Sequence, residues 1–171
     1  MKKLVLLLFV ALACSVDQEM NQRVFNFEGE EILVGNITIE GLQEAPFAEW
    51  YNYFYESADI DMQKLDRVSE ALRDTEITLF LGTWCTDSQE QVPGFIRMLT
   101  YTGYNFDNLD IIALERDEAR VMFSPSGREK ELDVMYVPTF IFYQNGKELG
   151  RIVEYPEQTI EQDMVKILTG S

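Results

Sequence analysis

The chain has 171 residues, 46% apolar and 26% charged, a composition that suits a globular domain and not a disordered segment. It carries 14 Lys and Arg against 30 Asp and Glu, a formal net charge of −16, and no histidine. The missing histidine excludes Ser-His-Asp and Cys-His nucleophiles and any His-ligated zinc or haem. The anionic balance argues against nucleic acid as a partner, because a phosphate backbone needs clustered Lys and Arg. Cys14 and Cys85 are too few for a disulfide framework.

Lys2 and Lys3 precede an unbroken apolar run from Leu4 to Cys14. That run is well short of the roughly 20 residues that span a bilayer. A basic start, a short apolar stretch and small Ala11 and Ala13 predict a signal peptide over 1–13. Ala11-Leu12-Ala13-Cys14 resembles a bacterial lipoprotein signal, with its Leu two rather than three places before the Cys. The resemblance implies a lipidated Cys14, a polar tether over 14–23, and a protein exported to the bacterial envelope (periplasm or outer membrane). Acyl chains would then hold it at a membrane.

An extension over 24–75 follows. Val24 to Phe27 and Ile32 to Ile39 read as strands on either side of the turn Glu28-Gly29-Glu30. Pro46 opens a helix in which Phe47, Trp50, Tyr51, Phe54 and Tyr55 share one face. An aromatic stripe at that spacing is read as core, not as a ligand platform. A second helix from Met62 to Arg73 buries Leu65, Val68 and Leu72.

From residue 76 the pattern changes. Ile77 to Leu81 is a continuous apolar run, suited to a strand covered on both faces. Gly82-Thr83-Trp84-Cys85 leads into a helix from Thr86 to Thr100, and Asp110 to Leu114 is the next strand. Together they form a βαβ unit. Residues 116–135 are looser. Thr139 to Tyr143 and Glu148 to Glu154 flank Asn145-Gly146, a strong hairpin signal. A last helix begins near Glu157, with Ile160, Met164, Ile167 and Leu168 on one side. The order from 76 is β-α-β-(α)-β-β-α.

That order, with Trp-Cys at the first strand-to-helix junction, resembles the thioredoxin family. Trp84-Cys85-Thr86-Asp87-Ser88 is similar to the family's Trp-Cys-x-x-Cys site, and Pro93 falls where the family has a proline in the active-site helix. Val137-Pro138-Thr139 resembles its cis-proline segment. The resemblance implies a thioredoxin-like three-layer α/β fold over 76–171, a central mixed sheet flanked by helices, with the strand-and-helix extension on it. It also implies that Cys85 is the nucleophile, that Trp84 shapes the site, and that Val137, Pro138 and Thr139 hold substrate by main-chain hydrogen bonds.

A thiolate is the reacting species, and an ordinary thiol with a pKa of about 8.5 is only slightly ionised at neutral pH. A helix N-terminus favours the anion, while Asp87 two residues on opposes it. Ser88 stands where the family has its second Cys; a hydroxyl cannot resolve a mixed disulfide and is expected only to hydrogen-bond to Cys85. Leu79 replaces the carboxylate the family often has six places before the Cys. Two functions fit. Cys85 performs monothiol exchange with protein thiols and disulfides, or with a small thiol such as glutathione that resolves it. Alternatively the fold is a redox-inactive adaptor for exported proteins or a partner enzyme. A monomer without cofactor or metal is expected. Glu30/Glu31, Asp59/Asp61 and Glu129/Glu131 lack metal-loop spacing and read as solvated surface, and no Gly-rich phosphate loop occurs.

Overall fold

The computed structural model describes residues 19–119 and 121–170. The expected signal peptide, Cys14 and the first part of the expected tether lie outside the described residues. The chain enters on β1 (Gln22–Phe25) and returns on β2 (Glu31–Ile37) as an antiparallel hairpin. Asn26 closes the turn by accepting the N–H groups of Glu28 and Glu30 at 3.0 and 2.9 Å. The strand expected to reach Ile39 stops at Ile37. Thr38 caps a one-turn helix, α1 (Ile39–Leu42), by accepting the Gly41 N–H at 3.2 Å, and a capping residue cannot continue a ladder.

Helices α2 (Ala48–Ser57) and α3 (Met62–Leu72) complete the extension. Phe47 and Tyr51 are buried, and Trp50 and Tyr55 pack partly buried beside them, so these four of the stripe are core, while Phe54 is half-buried against Tyr53. Asp61 caps α3 at the Lys64 N–H. Next come β3 (Glu76–Leu81), α4 (Thr86–Thr102) and β4 (Leu109–Ala113), with β4 parallel to β3. Gly103, at φ 68°, ends α4 in the left-handed conformation that glycine adopts without strain.

The loose region after β4 holds a short hairpin, β5 (Glu115–Arg116) with β6 (Met122–Phe123), and the one-turn helix α5 (Arg128–Glu131). One carboxylate there departs from the solvated-surface reading. Glu129 is buried and accepts the Ser124 hydroxyl at 2.6 Å, because its turn folds back against the sheet. The hairpin β7 (Thr139–Gln144) and β8 (Lys147–Val153) turns at Asn145-Gly146, both at positive φ. Thr159 caps α6 (Ile160–Thr169), which therefore starts three residues after Glu157.

Among the described residues the main sheet has six strands in the order β1-β2-β4-β3-β7-β8. The extension supplies its first two strands, pairing β2 antiparallel to β4. Alternation along β3 divides the core. Ile77, Leu79 and Leu81 meet α2, α3, α4 and α6 on one face, while Phe80 joins Ile112, Leu114, Val134, Val137 and Ile141 on the other. There α5 and the β5–β6 hairpin form a thinner cover. The result is a mixed sheet between helical layers, with Leu79 fully buried.

Phe95 of α4 lies 4.5 Å, ring to ring, from Phe140 and 6.2 Å from Phe142, clamping that helix to β7. Phe95→Ala should therefore lower the unfolding free energy by about 3–5 kcal/mol, read from urea denaturation.

Candidate functional site

The site is built where β3 hands over to α4. Cys85 donates its N–H to the Gly82 carbonyl at 2.9 Å, closing the turn, and its own carbonyl accepts the Gln89 N–H at 3.0 Å. Cys85 is thus the N-cap residue of α4, and no side chain caps that helix. The first turn of α4 thus has N–H groups without a side-chain acceptor, at the positive end of the helix dipole. Pro93 lies inside the same helix, where it has no N–H for the Gln89 carbonyl.

The Cys85 thiol is free and half-buried. Its Sγ donates to the Val137 carbonyl at 3.4 Å, across a sequence separation of 52 residues. Val137–Pro138 is cis. Trp84, Cys85, Val137 and Pro138 therefore converge. Thr139 is next to them but turned inward, its hydroxyl donating to the Tyr136 carbonyl at 2.7 Å. The hydrogen bond expected between Ser88 and Cys85 is not made. Ser88 is fully buried behind the turn, and its Oγ accepts the Gly82 N–H at 3.3 Å.

Trp84 is fixed on three sides. Its indole N–H donates to the Leu114 carbonyl at 2.8 Å, and the Arg116 guanidinium lies 4.2 Å above the ring. Arg116 also reaches Phe27 at 5.8 Å and the Glu28 carboxylate at 3.5 Å. Gly82 permits the close approach of the indole, since a Cβ there would meet Trp84 Cε2 at 2.6 Å. The extension is bonded to the same turn: the Leu33 N–H donates to Thr83 Oγ1 at 3.1 Å, and Gln89 Nε2 donates to the Thr83 carbonyl at 2.7 Å.

The opposite rim is the turn after β8. The Glu154 N–H donates to the Pro138 carbonyl at 2.8 Å, and the Glu154 carbonyl accepts Gln91 Nε2 at 2.6 Å. Tyr155, 63% exposed, donates its hydroxyl to Asp87 Oδ1 at 2.6 Å. That bond to Asp87, with lesser contributions from desolvation and nearby negative charge, pushes the phenol up to about 12. Met135 and Tyr136, 71% and 55% exposed, extend the rim on the cis-proline side. Arg116, Glu154 and Tyr155 carry no motif and sit far along the chain from Cys85. The sequence held no local signal for them. Among the described residues no cluster of three or more Cys, Asp and Glu could hold a metal ion, and no helix is long and apolar enough to cross a membrane.

No family model matches the chain. Thioredoxin H9 of Arabidopsis thaliana is 26% identical to it over 105 residues, 60% of this chain and 68% of its own length. The βαβ-then-hairpin-then-helix order, with the junction cysteine facing a proline segment, agrees with that relationship. The fold is thioredoxin-like. Two solved structures support the fold alone. A Pseudomonas aeruginosa protein of unknown function aligns at TM-score 0.52 and 15% identity, over 74% of this chain and 86% of its own. An HIV epitope-scaffold aligns at TM-score 0.52 and 15% identity, over 75% and 87%.

The contact between Gly82 and the indole makes a direct prediction. Gly82→Ala should push Trp84 off Leu114, costing about 1–3 kcal/mol of stability by overpacking. The tryptophan emission maximum should move to longer wavelength in the folded variant.

Proposed function

We propose that this protein performs monothiol thiol–disulfide exchange through Cys85. The observation that carries the reading is the half-buried Sγ at the uncapped N-terminus of α4, 3.4 Å from the Val137 carbonyl beside Pro138. The thioredoxin-like fold and the thioredoxin relative support the same chemistry at the coarse level of protein thiols and disulfides.

In the first step the Cys85 thiolate attacks one sulfur of a partner disulfide. The partner's S–S bond breaks, its second sulfur leaves as a thiolate and takes a proton from water, and Cys85 is left in a mixed disulfide. A second thiolate from outside the chain, glutathione or a protein thiol, then attacks the partner sulfur. Cys85 returns as thiolate and the partner carries the new disulfide. Ser88 cannot take the second step, being a hydroxyl and turned to Gly82. Trp84 and the Val137-Pro138 segment flank the reacting sulfur. Thr139 fixes that segment from within, through Tyr136.

In this reading residues 1–13 are a signal peptide, a tether on a lipidated Cys14 ends where β1 takes in Gln22 and Arg23 rather than at residue 23, an extension runs on to residue 75, and 76–171 is the reacting domain. The protein would work as a monomer in the bacterial envelope. The exchange reading is tested by mixing the purified chain with a disulfide-bonded peptide and glutathione. A mixed disulfide on Cys85 that glutathione clears, and that Cys85→Ser abolishes, is the expected result. A Cys85 that stays free throughout would leave the adaptor reading in its place. Ser88→Cys should change the outcome in a defined way: on oxidation the chain should lose two hydrogens by mass spectrometry, as Cys85 and the new thiol close an internal disulfide.

A further inference from the structure

The exchange reading leaves one residue of the site without a role, and its position is informative. Asp87 is the acidic residue in the first turn of α4, two places after Cys85, and a carboxylate there is the natural ligand of orphan N–H groups. Were it to cap the helix, its charge would occupy the electrostatic position that favours the Cys85 thiolate. It does not cap the helix. Its Oδ1 instead accepts the Tyr155 hydroxyl at 2.6 Å, across 68 residues.

Tyr155 is held for this by its backbone. Glu154 sits at φ 55°, a left-handed conformation costly for a residue with a Cβ. The turn is tied at the Pro138 carbonyl through the Glu154 N–H and at Gln91 through the Glu154 carbonyl. The Tyr155 N–H adds a bond to the Val153 carbonyl at 2.6 Å. The same turn that contacts the proline segment therefore presents the phenol to Asp87. The hydroxyl stays protonated, and so remains a donor, throughout the range in which a thiol titrates. The charged and titratable groups at this junction are Asp87 on α4, Cys85 at its N-cap, and Glu154 and Tyr155 on the turn after β8.

We infer that Tyr155 is a positioning residue: by holding the Asp87 carboxylate away from the first turn of α4, it leaves the open N–H groups to the Cys85 thiolate. This rests on the exchange reading, since it assigns the thiolate a task. Losing the hydroxyl frees the carboxylate to compete for the helix end, and losing the carboxylate makes the hydroxyl irrelevant. Electrostatic coupling between the two residues is thus the signature, and packing alone would not produce it.

The test is the rate of iodoacetamide alkylation at Cys85 against pH, in the wild-type chain, Tyr155→Phe, Asp87→Asn and the double variant. Tyr155→Phe should alkylate about two- to fivefold more slowly at pH 7, the range that a first-turn charge effect spans, with its profile moved to higher pH. Asp87→Asn should be at least as fast as wild type, and the double variant should match Asp87→Asn. A Tyr155→Phe profile that overlays wild type, the same slowing in the Asp87→Asn background, or an Asp87→Asn chain slower than wild type would each overturn the inference. A Cys85 inert in all four chains overturns the exchange reading as well, whereas a reactive but indifferent Cys85 overturns this inference alone. Because Asp87→Asn and the double variant carry their own expectations, a poorly folded Tyr155→Phe does not shield it.

Discussion

The exchange proposed for this molecule depends on one electrostatic arrangement: a sulfur at the N-cap of a long helix whose first turn has no side-chain cap. Backbone N–H groups and the helix dipole act on whatever anion occupies that position. Its opposite wall is the Val137 carbonyl, brought within hydrogen-bond reach from 52 residues away by the pairing of β3 with β7. β7 lies inside the sheet between β3 and β8, and Phe95 packs α4 onto it, so both halves of the site are anchored in the core.

The extension changes that surface without touching the sulfur. Its strands lengthen the sheet beside β4, its helices cover the face that α4 and α6 share, and its hairpin reaches the turn that carries Trp84 and Cys85. Leu33 is bonded to Thr83, while Phe27 and Glu28 meet the guanidinium that lies over Trp84. Trp84 is thus tied to the N-terminal hairpin through Arg116 as well as to Leu114. The rim of Met135, Tyr136 and Tyr155 lies on the far side, so the thiol sits between an aromatic-rich lip and a braced indole.

How much of this was legible in the sequence depends on how local each signal is. The Ile77 to Leu81 run, the Asn145-Gly146 turn and the Trp84-Cys85 junction are short-range patterns, and each element formed where its pattern lay. Thr38 ended a strand that its apolar neighbours would have continued, because a side-chain cap outweighed β propensity. Glu129 read as surface by charge but is buried against Ser124, a tertiary pairing that composition does not encode. Ser88 was expected to face Cys85, yet its hydroxyl bonds the Gly82 N–H. Within one helical turn, which neighbour a small polar side chain chooses is settled by the backbone geometry of the preceding turn. Tyr155 and Arg116 were illegible for a simpler reason: they reach the site only through strand pairing and hairpin closure.

The exchange proposed for Cys85 requires the fold to make this thiol a better nucleophile than the same residue in an unstructured chain. The most direct measurement compares iodoacetamide labelling at the peptide carrying Cys85 in the native protein and in urea-unfolded protein, at one neutral pH and with the denaturant's effect on a free thiol subtracted. Faster labelling of the folded chain is the result this account requires. Slower labelling when folded would mean that the helix end and the Val137 wall protect the sulfur instead of activating it, and the account would be wrong at its foundation.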